Sequence, residues 1–377
     1  MTDRLSLAII CGGCSVEHEI SLRSAGHLVS ALDDERYNVS VIYITRQGDW
    51  YFFTRSCWLS GDIQRAISDG RAARISPLLS SRSPSFITVG GGTVITIDIA
   101  FPLVHGAQGE NGELQGLFQL MRLPYVGSDV FSSALSIDKH HTKLRLQQAG
   151  IAVVPWKMYR NSHIAQSSYE GLTQSLGMDL FVKPSSLGSS IGISYVQDEA
   201  SYKTAVELAF SLDDTVIVEP AVFGREIECG VLDGDVITAS LPGEIISAQG
   251  FYDYNEKYAA TSHAKTMVPA PLESVLIDKI QALAIKVFQV VTARSLLRVD
   301  FFLTENSLYV NEVNTMPGFT DISLFPKMWR ASGLSDKDLL SQIVDRAYST
   351  HCLYYEKRSL AMTQRAHSMS ECAVVKE

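Results

Sequence analysis

Apolar residues recur along this 377-residue chain at two spacings, one typical of strands and the other typical of helices. The nearly continuous apolar runs at 5–10 and 39–44 predict buried strands. Between them, apolar residues repeat at helical spacing, which predicts an amphipathic helix. The inward face of this helix is formed by Leu22, Ala25, Leu28, Val29 and Leu32. Because a glycine turn joins the first strand to the helix, the chain opens with an α/β pattern.

The same patterns predict the elements of the rest of the chain. Strands are expected at 93–97, 97–104, 180–184, 193–196, 215–219, 225–231 and 236–241. Helices are expected at 113–121, at 274–291, near 335–348, and as one helix carrying Leu135, Lys139 and Lys143. From about His351 onward the chain lacks a core pattern, so a frayed or disordered tail is expected.

Two changes of pattern divide the chain into domains. The segment 124–128 ends the first α/β region, and the end of the strand at 215–219 suits a hinge. We therefore predict an N-terminal α/β domain at 1–127, a central domain at 128–221, a C-terminal domain at 222–350 and a tail at 351–377.

The segment 298–318 carries the clearest polar pattern. Apolar runs at 299–303 and 308–313 flank a turn-forming Thr-Glu-Asn-Ser segment, which is the signature of a hairpin. With the turn centred on Asn306, three pairs of side chains are predicted on one face of the hairpin. These pairs are Arg298 with Asn314, Asp300 with Glu312, and Phe302 with Val310.

The pairing of Asp300 with Glu312 is unfavourable unless a positive charge lies between the two carboxylates. A divalent cation such as Mg²⁺ would supply that charge and would bind oxygens of Asp300, Glu312 and Asn314. Arg298, at the end of the row, would then bind an anion. The alternative is a solvated hairpin face on which Arg298 neutralises the two acids.

A second polar pattern follows the predicted strand at 180–184, which presents Lys183. The loop at 185–192 contains two glycines and four serines. Backbone N–H groups and hydroxyls of such a loop bind phosphate oxygens, and Lys183 would add positive charge. The loop is not a Walker A motif, since the G-K-[ST] ending is missing. A surface hairpin is the alternative.

Two further positions and one segment suit ligand binding. Glu17 begins the first helix, where a carboxylate either compensates the helix dipole or binds a substrate ammonium. His105 follows the strand at 97–104, so it is either a buried core residue or part of a site at the strand end. The polar, aromatic segment 251–259 predicts a lid, with a flexible connector as the alternative.

Composition and charge exclude several classes of function. The net charge of −9, without any basic run, argues against nucleic acid as a partner. No apolar run approaches the ~18 residues of a membrane span, and the N-terminal run is too short for a signal peptide. We therefore expect a cytoplasmic protein without a membrane partner. Its six cysteines should be reduced, and Cys11 and Cys14 lack the second ligand pair of a zinc or redox site.

A series of short segments makes the chain resemble the D-alanine–D-alanine ligases of the ATP-grasp superfamily. The resemblance spans about residues 5–348, and the order and spacing of the segments are specific although each one alone is weak. The segments are GGCSVEHEIS at 12–21, VHG at 104–106, LQG at 114–116, SIDK at 136–139, VKP at 182–184, GSSIG at 188–192, FYDY at 251–254, EKY at 256–258, RVD at 298–300, NEVNT at 311–315 and PG at 317–318.

The resemblance implies an ATP-grasp fold, α/β with α+β parts, in which three domains surround a central active site. The N-terminal domain would be the pre-ATP-grasp substrate domain. ATP would activate the carboxylate of one D-alanine as an acyl phosphate, and the amine of a second D-alanine would attack it. The product is a peptidoglycan precursor. The implied ligands are D-alanine, ATP and two Mg²⁺ ions, with Mn²⁺ as a substitute, and the implied assembly is a homodimer.

The resemblance also assigns roles to single residues, in four groups. The catalytic group is Glu17, Ser189, Tyr258, Arg298 and the backbone N–H of Gly318. The substrate-binding group is His105, Lys257 and Ser323. The ATP-binding group is Lys139, Lys183, Ser190, Glu219, Val222, Glu226, Phe251 and Lys257. The metal ligands are Asp300, Glu312 and Asn314, the same oxygens that the hairpin pattern selects.

Three competing functions have features that distinguish them. The sequence EKY at 256–258 favours an amino acceptor over D-lactate, whereas D-serine adds only a hydroxyl, which a pocket rejects poorly. D-alanine is therefore preferred over D-serine, with a D-alanine–D-serine ligase as the alternative. A non-catalytic ATP-grasp nucleotide-binding protein would lack Arg298 or a metal ligand. A dehydrogenase would carry G-x-G-x-x-G, which is absent.

Overall fold

The structure of this protein, a computed structural model, describes residues 4–79, 83–160, 168–246 and 265–374. Strands in these ranges form three sheets, which follow one another along the chain. The first sheet is buried on both faces, which contribute to two apolar clusters, and the second and third sheets each contribute to a further cluster. The polar side chains of the candidate active site lie where the three sheets meet.

The first sheet opens with the α/β pattern predicted from the sequence. Its elements are β1 (Leu5–Gly12), α1 (His18–Ala31), β2 (Tyr37–Ile44), β3 (Trp50–Thr54), α2 (Arg55–Leu59), α3 (Ile63–Ser68), β4 (Ala73–Leu78), β5 (Ser85–Thr88), β6 (Val94–Thr96), β7 (Ile99–Pro102), α4 (Ala107–Glu110) and α5 (Glu113–Met121). The strand order is β6-β5-β4-β3-β2-β1-β7, with β1 parallel to both β2 and β7. The parallel strands point their carboxyl ends, and so His105, toward the centre of the molecule.

The second sheet is antiparallel and has a polar face. Its elements are α6 (Val130–Ile137), α7 (Lys139–Gln148), β8 (Lys157–Arg160), α8 (Tyr169–Leu176), β9 (Leu180–Pro184), β10 (Ser194–Val196), α9 (Glu199–Leu212) and β11 (Thr215–Pro220), with strand order β10-β9-β11-β8. Val182 and Val218 on one face pack against α9. Because side chains alternate along a strand, Lys183 and Glu219 lie on the other face.

One predicted helix is divided in two. The sequence pattern suggested a single helix through Leu135, Lys139 and Lys143, but α6 ends at Ile137 and α7 begins at Lys139. Asp138 separates them because its side chain accepts a hydrogen bond of 2.9 Å from the backbone N–H of His141. This is an N-cap, which starts a new helix rather than continuing the old one.

The third sheet and the C-terminal helices complete the chain. Their elements are β12 (Arg225–Leu232), β13 (Thr238–Ala239), β14 (Gly243–Ile246), β15 (Lys265–Met267), α10 (Ser274–Val290), β16 (Leu296–Leu303), β17 (Leu308–Asn314), α11 (Leu324–Ala331) and α12 (Asp336–Val374). The main path is β15-β14-β12-β16-β17, and β13 pairs with β12. Helix α10 covers the apolar face through Ile280 and Val287, as its sequence pattern predicts.

Helix α12 differs from the sequence-based expectation. A helix near 335–348 followed by a disordered tail was expected, whereas α12 continues through Val374. Its first half returns to the first sheet, where Leu340 and Val344 join the same buried cluster as β1. An ion pair of 2.6 Å between Arg36 and Asp345 lies beside this contact. No helix in the described ranges combines the length and apolarity needed to cross a membrane.

Gly230 provides a stability test of the packing between β12 and α11. A Cβ atom there would lie 2.8 Å from Nε1 of Trp329 and 3.0 Å from a ring carbon of Phe325. We expect Gly230→Ala to lower the free energy of unfolding by about 1–3 kcal/mol, because overpacking shifts buried side chains. Urea unfolding measures this, with Gly26→Ala in α1 as the control, since a Cβ at Gly26 meets nothing within 4 Å. Equal stabilities of the two variants would contradict the expectation.

Candidate active site

The hairpin of β16 and β17 carries a row of polar side chains on one face. Arg298 pairs with Asn314 and Asp300 pairs with Glu312, as predicted from the sequence. The guanidinium of Arg298 binds both oxygens of Asp300, with Nε to Oδ1 and Nη2 to Oδ2 each at 2.7 Å. Nδ2 of Asn314 also donates to Oδ2 of Asp300, at 3.0 Å. The row is therefore a connected network rather than a set of solvated side chains.

The register of the hairpin changes beyond Asp300. Phe302 lies opposite Tyr309, so its predicted pairing with Val310 is wrong. The reason is a β-bulge, because Asn311 is an extra residue between two paired positions of β17. A local alternation rule cannot reveal such a bulge. The bulge immediately precedes Glu312, one of the two facing carboxylates.

Arg298 is held by a second carboxylate that the sequence reading missed. Oε2 of Glu228, on β12, lies 3.1 Å from Nε of Arg298. Glu228 pairs directly with Asp300 across β12 and β16. Burial alone would lower the pKa of Arg298, but the charges of Asp300 and Glu228 raise it well above its usual value. The guanidinium is thus a permanent, fixed cation at the edge of the site.

Lys139 approaches the hairpin from the second sheet. As the first residue of α7, it is positioned by the N-cap at Asp138. Its Nζ lies 3.6 Å from Oε2 of Glu312. Lys139, Glu312 and Asn314 line one cavity. This cavity lies beside the loop that connects β9 to β10, because Gly188 also lines it.

The oxygen donors of the hairpin fit a hard divalent cation. Asp300 and Glu312 face each other, and the nitrogen of the Asn314 amide bonds to Asp300, so its oxygen remains for a cation. Within the described ranges, no group of three or more His, Cys, Asp and Glu residues could form an all-protein metal site. Mg²⁺ in proteins binds one or two carboxylates together with substrate phosphates.

Glu17 and Ser189 join the first sheet to the loop after β9. The hydroxyl of Ser189 donates a short hydrogen bond to Oε1 of Glu17. Glu17 is 6% exposed, and Ser189 and Ser190 both have positive φ angles, of 53° and 59°. Non-glycine residues adopt such angles at a cost, which contacts such as the Ser189–Glu17 hydrogen bond offset. Glu17, Ser189 and Arg298 line a second cavity.

His105 lines the same cavity, together with a carboxylate that the sequence did not indicate. Its Nδ1 lies 3.7 Å from Oε1 of Glu110; His105 is buried and Glu110 is partly buried. Burial tends to lower the pKa of His105, but the nearby carboxylate of Glu110 raises it. Burial raises the pKa of Glu110, which His105 only partly offsets. Glu110 is the last residue of helix α4.

A third cavity is also lined by Arg298. It is lined by Glu228, Gly318 and Ser323, among others. Ser323 precedes helix α11, and its hydroxyl lies 2.7 Å from that of Thr320. A Cβ at Gly318 would lie 2.9 Å from the Ser323 hydroxyl oxygen, so glycine lets the backbone approach closely here.

The remaining ATP-assigned residues in the described ranges lie along the second and third sheets. Nζ of Lys183 donates to Oε2 of Glu219 at 2.6 Å. Val222 lies in the connection between β11 and β12, and Glu226 lies on β12 opposite Phe302. The assigned residues Phe251, Lys257 and Tyr258, and the lid predicted at 251–259, lie outside the described residues.

Three acidic or basic residues of this region were absent from the sequence-based site, namely Glu110, Lys143 and Glu228. For two of them, the sequence spacing indicated a position beside a predicted site residue. Glu228 is two residues from Glu226 on a predicted strand, so both side chains share a face. Lys143 is four residues from Lys139 on a predicted helix. Glu110 carried no such signal, because it lay in a Gly-rich segment typical of an exposed turn.

Comparison with known proteins agrees with this geometry. Residues 6–128 match the family model for the D-ala D-ala ligase N-terminus, and residues 145–345 match the model for the D-ala D-ala ligase C-terminus. The D-alanine–D-alanine ligase A of Escherichia coli K12 is 40% identical over 353 residues, which cover 93% of this chain and 97% of the relative.

Two solved structures are similar over nearly the whole chain. The D-alanine–D-alanine ligase of Coxiella burnetii is 37% identical, with a TM-score of 0.84 over 96% of this chain and 100% of that one. The VanG D-Ala:D-Ser ligase of Enterococcus faecalis is 32% identical, with a TM-score of 0.83 over 92% of this chain and 100% of that one. This chain therefore belongs to the D-alanine–D-alanine ligase family and has its ATP-grasp fold.

Proposed function

We propose that this chain uses ATP to join two D-alanine molecules into D-alanyl-D-alanine, a peptidoglycan precursor, through an acyl phosphate. The main structural support is that Arg298, Glu312 and the Glu17–Ser189 contact line adjoining cavities, and that Asp300 lies opposite Glu312 on the hairpin. The reaction needs three kinds of group. These are a cation that binds an anion, a pair of carboxylates that binds a metal ion, and a carboxylate that binds an amine. The similarity to curated ligases of this family supports the same reaction.

In the first half of the reaction, an oxygen of the D-alanine carboxylate attacks the γ-phosphorus and ADP leaves. Such a transfer needs positioning and charge stabilisation more than covalent chemistry. Lys139 and Lys183 bind phosphate oxygens, and the loop that carries Ser190 covers them. Two Mg²⁺ ions, or Mn²⁺ in their place, would be held by Asp300, Glu312 and Asn314 and would neutralise phosphate charge.

The first D-alanine is held on the side of the first sheet. Glu17 binds its ammonium group, and the burial of this carboxylate next to Ser189 supports that role. His105 lies in the same cavity and contacts this substrate. Tyr258 is proposed to join Ser189 and Glu17 when the loops close, which would keep water from the acyl phosphate.

The second D-alanine enters through the third cavity. Its carboxylate binds Ser323 and Lys257, and its neutral amine attacks the acyl carbon. Arg298 and the backbone N–H of Gly318 stabilise the oxyanion of the tetrahedral intermediate, which then expels phosphate. The fixed guanidinium of Arg298, at the junction of two cavities, supports this role. The adenine and ribose of ATP contact Glu219, Val222, Glu226 and Phe251.

A product screen tests the proposal. The purified chain should release phosphate from ATP only in the presence of Mg²⁺ and D-alanine, and mass spectrometry should find D-alanyl-D-alanine. The stereochemical preference is expected because Glu17, Arg298 and His105 fix three groups around the substrate α-carbon. Equal turnover with L-alanine would contradict the assignment.

The similarity to a D-Ala:D-Ser ligase gives a specific second candidate. An equimolar mixture of D-alanine and D-serine distinguishes the two activities. D-alanyl-D-alanine as the main product supports the first function, and D-alanyl-D-serine as the main product supports the second. D-lactate in the same assay should give no depsipeptide, since the EKY segment favours an amino acceptor.

Three further properties belong to the same proposal. The ranges 1–127, 128–221 and 222–350 would act as three domains around the site. The enzyme would work in the cytoplasm, where ATP and free D-alanine are available. It would form a homodimer, as its family resemblance implies, and sedimentation velocity measures this directly. A single monomeric species at micromolar concentration would contradict the dimer.

A further inference from the structure

A buried lysine outside the proposed reaction lies next to the nucleotide residues. Lys143, on the second turn of α7, is 2% exposed. Its Nζ donates to the backbone carbonyl of Val154 at 3.1 Å and lies 5.8 Å from the centre of the Trp156 ring. A lysine is almost never fully buried unless it is paired. Its pair is Glu219, the residue proposed to contact adenine.

Glu219 is shared between two lysines. Its Oε1 lies 2.7 Å from Nζ of Lys143, and its Oε2 lies 2.6 Å from Nζ of Lys183. Glu219 is itself 2% exposed. Burial alone would raise the pKa of Glu219, but the two lysines outweigh burial and lower it to about 2. The carboxylate is therefore ionised and has one cation on each oxygen.

The two lysines are held differently. Lys183 lies on β9, just before the loop that covers phosphate, and is 7% exposed. Lys143 comes from the opposite side, on a helix, and is held by Val154 and Trp156. If Lys183 turns toward phosphate when the nucleotide binds, Oε2 of Glu219 becomes free. Lys143 would then be the contact that keeps Glu219 in place.

We propose that Lys143 is a positioning residue for purine recognition, which fixes Glu219 through Oε1 so that Oε2 accepts a hydrogen bond from the adenine amino group. This inference rests on the proposed contact of Glu219 with adenine. Adenine carries an amino donor at the position where guanine carries the acceptor O6. A fixed carboxylate therefore attracts a 6-aminopurine nucleotide and repels a 6-oxopurine nucleotide. The chemical class selected is the 6-aminopurine nucleoside triphosphate.

A positioning role gives a physical reason for the buried charge of Lys143. Desolvation of an ammonium is costly, and its pairing with a carboxylate is often no more stable than apolar packing. Stability alone therefore gives little reason for Lys143. A site built to hydrogen-bond one substrate group, by contrast, rejects analogues that lack the group, because buried polar atoms are left unpaired.

The test compares nucleotide selectivity in the full chain. Lys143→Met preserves much of the side-chain volume but removes the charge, and Arg145→Met is the matched control. Arg145 is on the same helix, is exposed, and donates to the carbonyl of Val290 rather than to Glu219. We expect the ATP/GTP ratio of kcat/KM to fall at least about tenfold in Lys143→Met, since a hydrogen bond to a charged group is lost or misdirected. The control should keep the wild-type ratio.

Direct binding separates selectivity from a general loss of structure. Calorimetric titration of ADP and GDP should show the same fall in preference. If Lys143→Met does not fold, Lys143→Gln provides the test, because it retains a donor for Glu219 without the charge. A variant that folds and weakens both nucleotides by the same factor would overturn the proposal, because a merely structural role predicts that result.

Glu219→Gln separates this inference from the function on which it rests. Its amide can turn either its oxygen or its nitrogen to the base, so selectivity should fall. If Glu219→Gln loses selectivity while Lys143→Met retains it, the role of Lys143 is wrong and the adenine site stands. If the wild-type chain uses GTP as well as ATP, or Glu219→Gln leaves the ratio unchanged, the adenine contact of Glu219 is wrong, and the inference fails with it.

Discussion

Glu312→Gln is expected to reduce kcat for D-alanine ligation by at least about a hundredfold, because even groups that only support a metal ligand contribute about 10–100-fold. The substitution keeps the shape of the side chain but replaces a charged oxygen with an amide. Glu312 faces Asp300 across the hairpin and lies 3.6 Å from Lys139, so both neighbours lose a charged partner. Steady-state assays over a range of Mg²⁺ concentrations measure the loss.

A second measurement connects this loss to the cation. Mn²⁺ binding in the presence of ADP, followed by electron paramagnetic resonance, should weaken in Glu312→Gln. The matched control is Glu305→Gln, in the exposed turn of the same hairpin, which should bind Mn²⁺ and turn over as the wild type does. Wild-type kcat in Glu312→Gln, with an ordinary dependence on Mg²⁺, would refute the role of Glu312 as a ligand.

Arg298→Lys should have an effect of similar size through a different step. The expected loss in kcat is about 10²–10³-fold, the usual effect of removing one donor from an oxyanion site. Lysine is a point charge and cannot bind Asp300 through two parallel hydrogen bonds while contacting Glu228. The ammonium should therefore move away from the developing oxyanion, although the charge of the site is unchanged. KM for ATP should change little.

Arg294→Lys is the control for this variant. Arg294 is more exposed and forms an ion pair of 2.9 Å with Asp129, outside the cavities described above. Mn²⁺ binding should persist in Arg298→Lys, which separates the oxyanion role from metal binding. A kcat within about threefold of the wild type would show that Arg298 does not stabilise the transition state, since a donor of that kind is worth far more.

Elements with a strong local pattern were predicted closely. The helix at Glu113–Met121 and the strand at Leu180–Pro184 match the structure at both ends. The facing of Asp300 and Glu312 was also predicted, because alternation along two strands and the position of a turn fix which side chains meet. These features depend on neighbours that are close in sequence.

Features that depend on distant neighbours were not predictable. The pairing of Lys143 with Glu219 joins a helix to a strand that lies more than seventy residues away. The return of α12 to the first sheet, which places Val344 beside β1, leaves no mark in either segment alone. The sequence from about His351 onward lacks a core pattern, so the helical state of this part of α12 was missed. Burial of Glu110 likewise depends on the three sheets converging around it.

The sequence by itself determined the family and the shared face of the hairpin that carries Arg298, Asp300, Glu312 and Asn314. It could do so because local spacing fixes strand faces and because the motifs occur in a specific order. Only the tertiary structure decided which charged side chains form ion pairs with more than one partner. It bound Arg298 to both Asp300 and Glu228, and it placed Lys143 and Lys183 on one carboxylate. Electrostatic pairing acts through space, so its partners are set by the packing of the sheets and not by distance along the chain.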